Sequence, residues 1–159
     1  MGSVAHSTRP GASGGGVGTD VTHVALKFPA ALVYRPVAID LVSALVGQVL
    51  HADRDFRNEL VTAFGEAFNN IVLHGYRGRL DGMIEIEAEM APDRMTLRLI
   101  DTGQPVAFNL VKAPDLESMP ESGMGVFMIH SLMDDVQYSG GPPNVLSLCK
   151  RTTSGEESQ

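Results

Sequence analysis

Residues 66–76 read EAFNNIVLHGY, and the rest of the chain is interpreted around this stretch. It forms the second half of a helical pattern that begins near Asp55. The apolar residues of that pattern recur at the spacing of one helix face. They are Phe56, Leu60, Phe64, Phe68 and Ile71. Glu66, Asn70 and His74 follow one another four residues apart, so they form a polar stripe beside the apolar face. Most polar stripes face water, so the stripe alone does not establish a functional site.

Two further motifs lie downstream of this helix. Residues 100–105 read IDTGQP, so Asp101 ends an alternating run and Gly103 follows in a turn. A carboxylate there can accept a hydrogen bond from an amino group, or it can bond the backbone of its own turn. Residues 122–125 read SGMG and lead into a helical pattern over 124–134. The first N–H groups of a helix can hold phosphate oxygens, although a tight turn would also explain the glycines.

Together, these three motifs resemble the Bergerat-type ATP-binding fold. Within it, they are most similar to the anti-sigma-factor serine kinases that partner STAS-domain anti-anti-sigma proteins. The resemblance covers residues 24–151 and includes the MDDV sequence of residues 133–136. It implies an α/β fold, a two-layer sandwich in which helices cover one face of a mixed, mainly antiparallel sheet.

The resemblance also implies ATP or ADP with Mg²⁺ as the bound group. It assigns Glu66 as the general base for the attacking serine and Asn70 as a metal ligand through its amide oxygen. For His74 it leaves two roles open, a place near the nucleotide or a structural role at the end of the helix.

The same resemblance assigns the remaining site residues to the two glycine-containing motifs. Asp101 would read the amino group of adenine, and Gly103 would let the base approach the backbone. Gly123, Met124 and Gly125 would form the lid motif over the phosphates, with the two glycines flanking the N-terminus of the helix.

Three positions depart from the family pattern. The family often carries an acidic residue and an arginine before the lid motif, where this chain has Pro120 and Glu121. A cation that could stabilise the transition state is therefore missing there. Some members have Gly-Thr before the last strand, where Pro143 and Asn144 stand, and we expect this turn to lie away from the nucleotide motifs. Arg35 matches a partner-contacting arginine of the family by position only.

Periodicity and turn residues predict one domain over residues 21–151, after a disordered leader at 1–20 and before a flexible tail at 152–159. The helix predicted over 35–50 would bury a face made of Val37, Leu41, Leu45 and Val49, and either Asp53 or Asp55 would cap the next helix. The other predicted elements are a strand at 21–28, a hairpin at 83–100, a long connection at 102–122 with a short helix near 108–112, and strands at 136–138 and 144–151.

Composition narrows the function classes. The chain has 159 residues and a net charge of −7, which argues against nucleic acid as a partner. The single cysteine excludes an intramolecular disulfide and fits a reducing compartment. No apolar run is long enough to span a membrane and no secretory signal is present, so we expect a cytoplasmic protein.

The resulting hypothesis is an ATP-dependent serine kinase that also binds a sigma factor and phosphorylates a STAS-domain antagonist. The alternative is a nucleotide-gated binding protein with little or no kinase activity, because the cation before the lid motif is missing. The ATPase half of a histidine kinase fits less well, since the chain lacks room for a dimerising helix pair. Homodimers occur in the family, and the strand near Glu85 and the first helix are the candidate surfaces for one.

Overall fold

A computed structural model describes residues 20–109, 117 and 121–153 of the chain. The predicted leader, apart from residue 20, lies outside the described residues. So do most of the predicted tail and most of the predicted connection, including the greater part of its short helix.

The described residues form five strands and three α-helices, with a short 3-10 helix at Leu32–Tyr34 and a π-helix at Ile71–Tyr76. The strands are β1 (Thr22–Pro29), β2 (Met83–Ala91), β3 (Arg94–Asp101), β4 (Asp135–Ser139) and β5 (Asn144–Arg151). The α-helices are α1 (Arg35–Val46), α2 (Arg54–Asn70) and α3 (Glu121–Leu132). The predicted hairpin at 83–100 and the last strand are confirmed.

The sheet has the order β1-β2-β3-β5-β4, and every neighbouring pair is antiparallel. The two-layer α/β prediction is confirmed, but the expectation of a mixed sheet is wrong for the described strands. The chain crosses from β3 through α3 to β4, which runs parallel to β3. A parallel pair does not form because the final hairpin places β5 between these two strands.

One face of the sheet carries the core. Alternate residues of the central strands are buried beneath the helical layer, as expected for a sheet covered on one side. They include Ile84, Ile86, Leu97, Leu99, Leu146 and Leu148. The predicted apolar face of α2 is confirmed, since its most exposed member, Phe56, is only 4% exposed. The side chain of Asp53 caps this helix by accepting a hydrogen bond of 2.8 Å from the N–H of Phe56.

The prediction for the first helix was wrong in two respects. The helix ends at Val46, and its buried residues are Ala38, Val42 and Val46. By contrast, Val37 is 50% exposed and Leu41 is 40% exposed. The helix is apolar on two adjacent stripes, so periodicity could not tell which one faces the core. The stripe with smaller side chains is the one that is buried, which lets α1 approach α2 closely.

No helix among the described residues is both long enough and apolar enough to cross a membrane.

Candidate nucleotide-binding site

The polar stripe of α2 runs from the half-buried Glu66 to the buried Asn70, and neither side chain has a hydrogen-bond partner among the described residues. Asn70 is only 6% exposed, and its Nδ2 atom has no hydrogen-bond partner within the described ranges. Glu66 is half-buried and makes no hydrogen bond or ion pair with any described residue. An unpartnered buried polar group costs about 1–3 kcal/mol, so the Nδ2 atom of Asn70 calls for an explanation such as a ligand, an ion or an ordered water.

His74 lies one turn further on, in the π-helix, and is exposed. It makes no hydrogen bond to the helix carbonyls among the described residues, so the structure gives no support to a capping role. The helix ends instead at Arg77 and Gly78, which have φ angles of 50° and 80°. A π-helical turn at the end of an α-helix is frequent at functional sites.

The N-terminal part of α3 lies directly on this stripe. A Cβ atom on Gly125 would stand 2.7 Å from Oε2 of Glu66 and 3.4 Å from Nδ2 of Asn70. A larger residue here would therefore displace the carboxylate of Glu66 from its observed position. The structure thus brings the lid motif and the polar stripe into contact, and the predicted roles of these residues toward a ligand stay predictions.

The position of the glycines within α3 differs from the expectation. The helix begins at Glu121, so Gly123 and Met124 lie in its first turn and Gly125 begins the second. Only the N–H groups of the first three helical residues and of the residue before them lack intrahelical partners, which leaves Gly123 as the best placed of the three for an anion. The contribution of Gly125 that the structure shows is its contact with Glu66.

Asp101 is the last residue of β3 and is 5% exposed. Its Oδ1 atom accepts hydrogen bonds of 2.9 Å from the N–H of Gly103 and 2.9 Å from Nδ2 of Asn144. Burial raises the pKa of Asp101, and these two hydrogen bonds oppose that rise. Its Oδ2 atom accepts no hydrogen bond from the described residues. The side chain therefore both holds its own turn and keeps one oxygen free for a ligand.

The turn after Asp101 lies against the π-helix. A Cβ atom on Gly103 would stand 2.8 Å from the carbonyl carbon and oxygen of Gly75, and the N–H of Gln104 donates to that same oxygen at 2.8 Å. Gly103 is thus required for a close approach of two backbone segments. Its proposed contact with a base stays a prediction.

Asn144 is a site residue that the sequence analysis missed. It is 1% exposed and stands opposite Asp101 in the pairing of β3 with β5. The expectation that the Pro143-Asn144 turn lies away from the nucleotide motifs was therefore wrong. One signal was available, because the inward positions of β5 read Asn144, Leu146 and Leu148. A single amide in an otherwise apolar row indicates a buried polar partner.

Tyr76 holds the other side of the same turn. Its hydroxyl accepts a hydrogen bond of 3.0 Å from the N–H of Thr102 and donates one of 2.6 Å to the carbonyl of Met83. Tyr76 is the last residue of the EAFNNIVLHGY motif, and the sequence alone predicts no role for it. Arg35 also has a structural contact, since its Nε donates to the carbonyl of Gly65 at 3.2 Å.

These features make a candidate ligand-binding site in a two-layer α/β fold. The model of the family described as "Histidine kinase-like ATPase domain" matches residues 28–150. The chain belongs to this family.

The chain is similar to several characterised relatives. It is 37% identical over 110 residues to the anti-sigma F factor of Clostridium beijerinckii. This alignment covers 65% of this chain and 74% of the relative. It is 31% identical over 122 residues to the serine-protein kinase RsbW of Bacillus cereus, covering 72% and 75%. A solved structure of the RsbU and RsbW domains of a Mycobacterium tuberculosis protein shares the fold, with a TM-score of 0.57 and 18% sequence identity. The match covers 82% of this chain and 32% of the chain in that structure.

Proposed function

We propose that this protein is an ATP-dependent protein-serine kinase that also acts as an anti-sigma factor. In one state it binds a sigma factor, and in the other it phosphorylates a serine of a STAS-domain anti-anti-sigma protein. The observation that carries the proposal is the unpartnered pair of Glu66 and Asn70 against Gly125. The relatives named as an anti-sigma factor and as serine-protein kinases support the reaction class.

The donor set fits ATP with Mg²⁺. Mg²⁺ is commonly held by one or two protein oxygens together with phosphates and waters. The Nδ2 atom of Asn70 is unpartnered, and a 180° rotation of its amide group would present the oxygen to the metal instead. The metal would neutralise charge on the phosphates during transfer. The free Oδ2 of Asp101 would accept a hydrogen bond from the amino group of adenine.

Glu66 is the group that would act on the protein substrate. It lies one helical turn before Asn70, so its carboxylate points to the region where the terminal phosphate and the acceptor would meet. There it would accept the proton of the attacking serine hydroxyl, which raises the nucleophilicity of the oxygen. The first turn of α3, with the N–H group of Gly123, would hold the phosphates near this part of α2.

The surface of the first helix supports partner binding. Val33 of the preceding 3-10 helix and Val37 and Leu41 of α1 follow one another four residues apart as an exposed apolar stripe, with exposures of 75%, 50% and 40%. Apolar stripes of this kind are typical of surfaces that a partner covers. We assign this stripe to protein contacts, either with the sigma factor or with a second copy of the chain. A partner that acts in transcription also places the protein in the cytoplasm.

A single-turnover assay tests the proposal. The protein is mixed with labelled ATP, Mg²⁺ and candidate STAS-domain proteins from the same genome, and transfer to serine is followed. Glu66→Gln keeps the size of the side chain but removes its basicity, so it should lower the transfer rate by about 10²–10⁴ and keep ATP affinity within a few-fold. Equal rates for the wild type and this variant would remove Glu66 from the reaction.

The second candidate is a nucleotide-gated binder without kinase activity. It is favoured by one observation, the presence of Pro120 and Glu121 where the family often has an arginine before the lid motif. Tight ATP binding by the wild type, nucleotide-dependent capture of a sigma factor and no transfer to any STAS-domain protein would establish this candidate instead.

A further inference from the structure

Asn144 makes three hydrogen bonds within the protein, which take both of its N–H groups and engage its oxygen. One N–H of its Nδ2 donates to Oδ1 of Asp101 at 2.9 Å, and the other donates to the carbonyl of Gly103 at 2.8 Å. Its Oδ1 accepts from the N–H of Gly141 at 2.9 Å. An amide has two donors and an acceptor oxygen, so both donors are taken and the acceptor is engaged. At 1% exposure, the side chain is also sealed from solvent.

These contacts fix the carboxylate of Asp101 in one orientation. Oδ1 is held by two donors, the amide of Asn144 and the N–H of Gly103. Rotating the carboxylate would break both hydrogen bonds while the group is 5% exposed, where an unpaired charge is costly. Oδ2 is consequently the only oxygen of Asp101 that the described residues leave available.

We propose that Asn144 is the positioning residue that sets the base selectivity of the site. By holding Oδ1, it presents Oδ2 alone as a fixed acceptor, which a purine with a 6-amino group can satisfy. A purine with a 6-oxo group places a second acceptor against the carboxylate and is rejected. Asn144 would act on the base through Asp101, since both of its N–H groups are already engaged within the protein. The inference rests on the proposed nucleotide binding and adds to it the origin of the discrimination.

The test compares ADP and GDP affinities by calorimetry in two variants and one control. Asn144→Leu has nearly the same size but no donor, and Asn144→Thr keeps one hydroxyl donor. Asn58→Leu makes the same chemical change at an exposed position of α2 and controls for it. Thermal unfolding of each variant establishes that the proteins are folded under the assay conditions.

We expect Asn144→Leu to weaken ADP binding by about 10- to 100-fold, the usual effect of losing a hydrogen bond to a charged group. GDP binding should change little, so the ratio of the two affinities should fall. Asn144→Thr should recover part of the ratio, and Asn58→Leu should match the wild type. Amide hydrogen exchange should accelerate at Gly103 and Gly141 in Asn144→Leu, with or without nucleotide.

Two outcomes would overturn the inference, and they are distinguishable. If the wild type binds neither nucleotide, the proposed function is wrong and the selectivity role is lost with it. If the wild type prefers ADP and Asn144→Leu keeps that preference, or loses both affinities equally, the proposed function stands. In that case Asn144 has only a structural role.

Discussion

Gly125→Ala should lower the rate of phosphate transfer without lowering the stability of this protein. The new methyl group would stand 2.7 Å from Oε2 of Glu66, whereas ordinary contacts begin at 3.4 Å. The carboxylate must therefore move by roughly 0.7 Å, which it can do because it is the free end of a flexible side chain. A displacement of this size in a catalytic group costs about 10- to 100-fold in rate.

The fold should tolerate the same substitution. Gly125 lies within α3, where alanine is favoured over glycine by about 0.5–1 kcal/mol. The free energy of unfolding, measured with denaturant, should thus be unchanged or slightly higher, while single-turnover transfer to the protein substrate falls. Ser131→Ala, at an exposed position of the same helix, is the control for the added helix propensity.

A variant that transfers phosphate at the wild-type rate would refute this reasoning, since it would show that Glu66 need not occupy the observed position. A variant that is strongly destabilised would refute it differently, by showing that the contact between α2 and α3 cannot yield.

Three further predictions concern the other site residues. Asn70→Ala should weaken ADP binding more with Mg²⁺ than with EDTA, and equal losses in the two titrations would exclude a metal contact. Tyr76→Phe leaves the N–H of Thr102 without its partner, so chemical denaturation should show a loss of about 1–3 kcal/mol in the free energy of unfolding; an unchanged midpoint and slope would contradict this role. Burial raises the pKa of Asp101 above the ordinary 3.8, so Asp101 should become protonated, and ADP affinity should begin to fall, while the pH is lowered but still above 3.8. In Asp101→Asn, ADP affinity should be weak at every pH. The free energy of unfolding of the protein without nucleotide should instead increase as the pH falls. A carboxyl group whose pKa is raised by folding stabilises the folded state more as the pH falls through that pKa.

The two long helices show what periodicity can and cannot decide. In α2, one stripe is apolar and its neighbour is polar, so the buried face followed directly from the sequence. In α1, both stripes are apolar, so the sequence had no means to distinguish the core face from the exposed face of Val37 and Leu41. An amphipathic pattern identifies a buried face only when the opposite face is polar.

Some residues of the candidate site could likewise be predicted from the sequence, and others could not. The order and spacing of the motifs placed Glu66, Asp101 and Gly125, because each carries its signal in neighbouring residues. The start of α3 was predicted too late, since the glycines suggested a turn, whereas Pro120 is well suited to precede a helix. Asn144 was missed because its partner Asp101 lies 43 residues away, and the contact depends on strand pairing that no local pattern specifies.

The proposed site has two ends that are built differently: the surroundings of Asp101, which would bind the base, and those of Glu66 and Asn70, which would bind the phosphates and the metal. Around Asp101, buried hydrogen bonds from Asn144 and Tyr76 hold the turn before any ligand arrives. A neutral base brings no charge that could order such a turn, so the protein must preorganise it. Around Glu66 and Asn70 the described residues leave the polar groups unpaired; in the proposed function a metal ion would pair with Asn70, and Glu66 would receive the proton of the substrate serine. Substitutions at the base end should therefore change stability and selectivity together. Those at the phosphate end should change metal dependence and transfer rate, with little effect on folding.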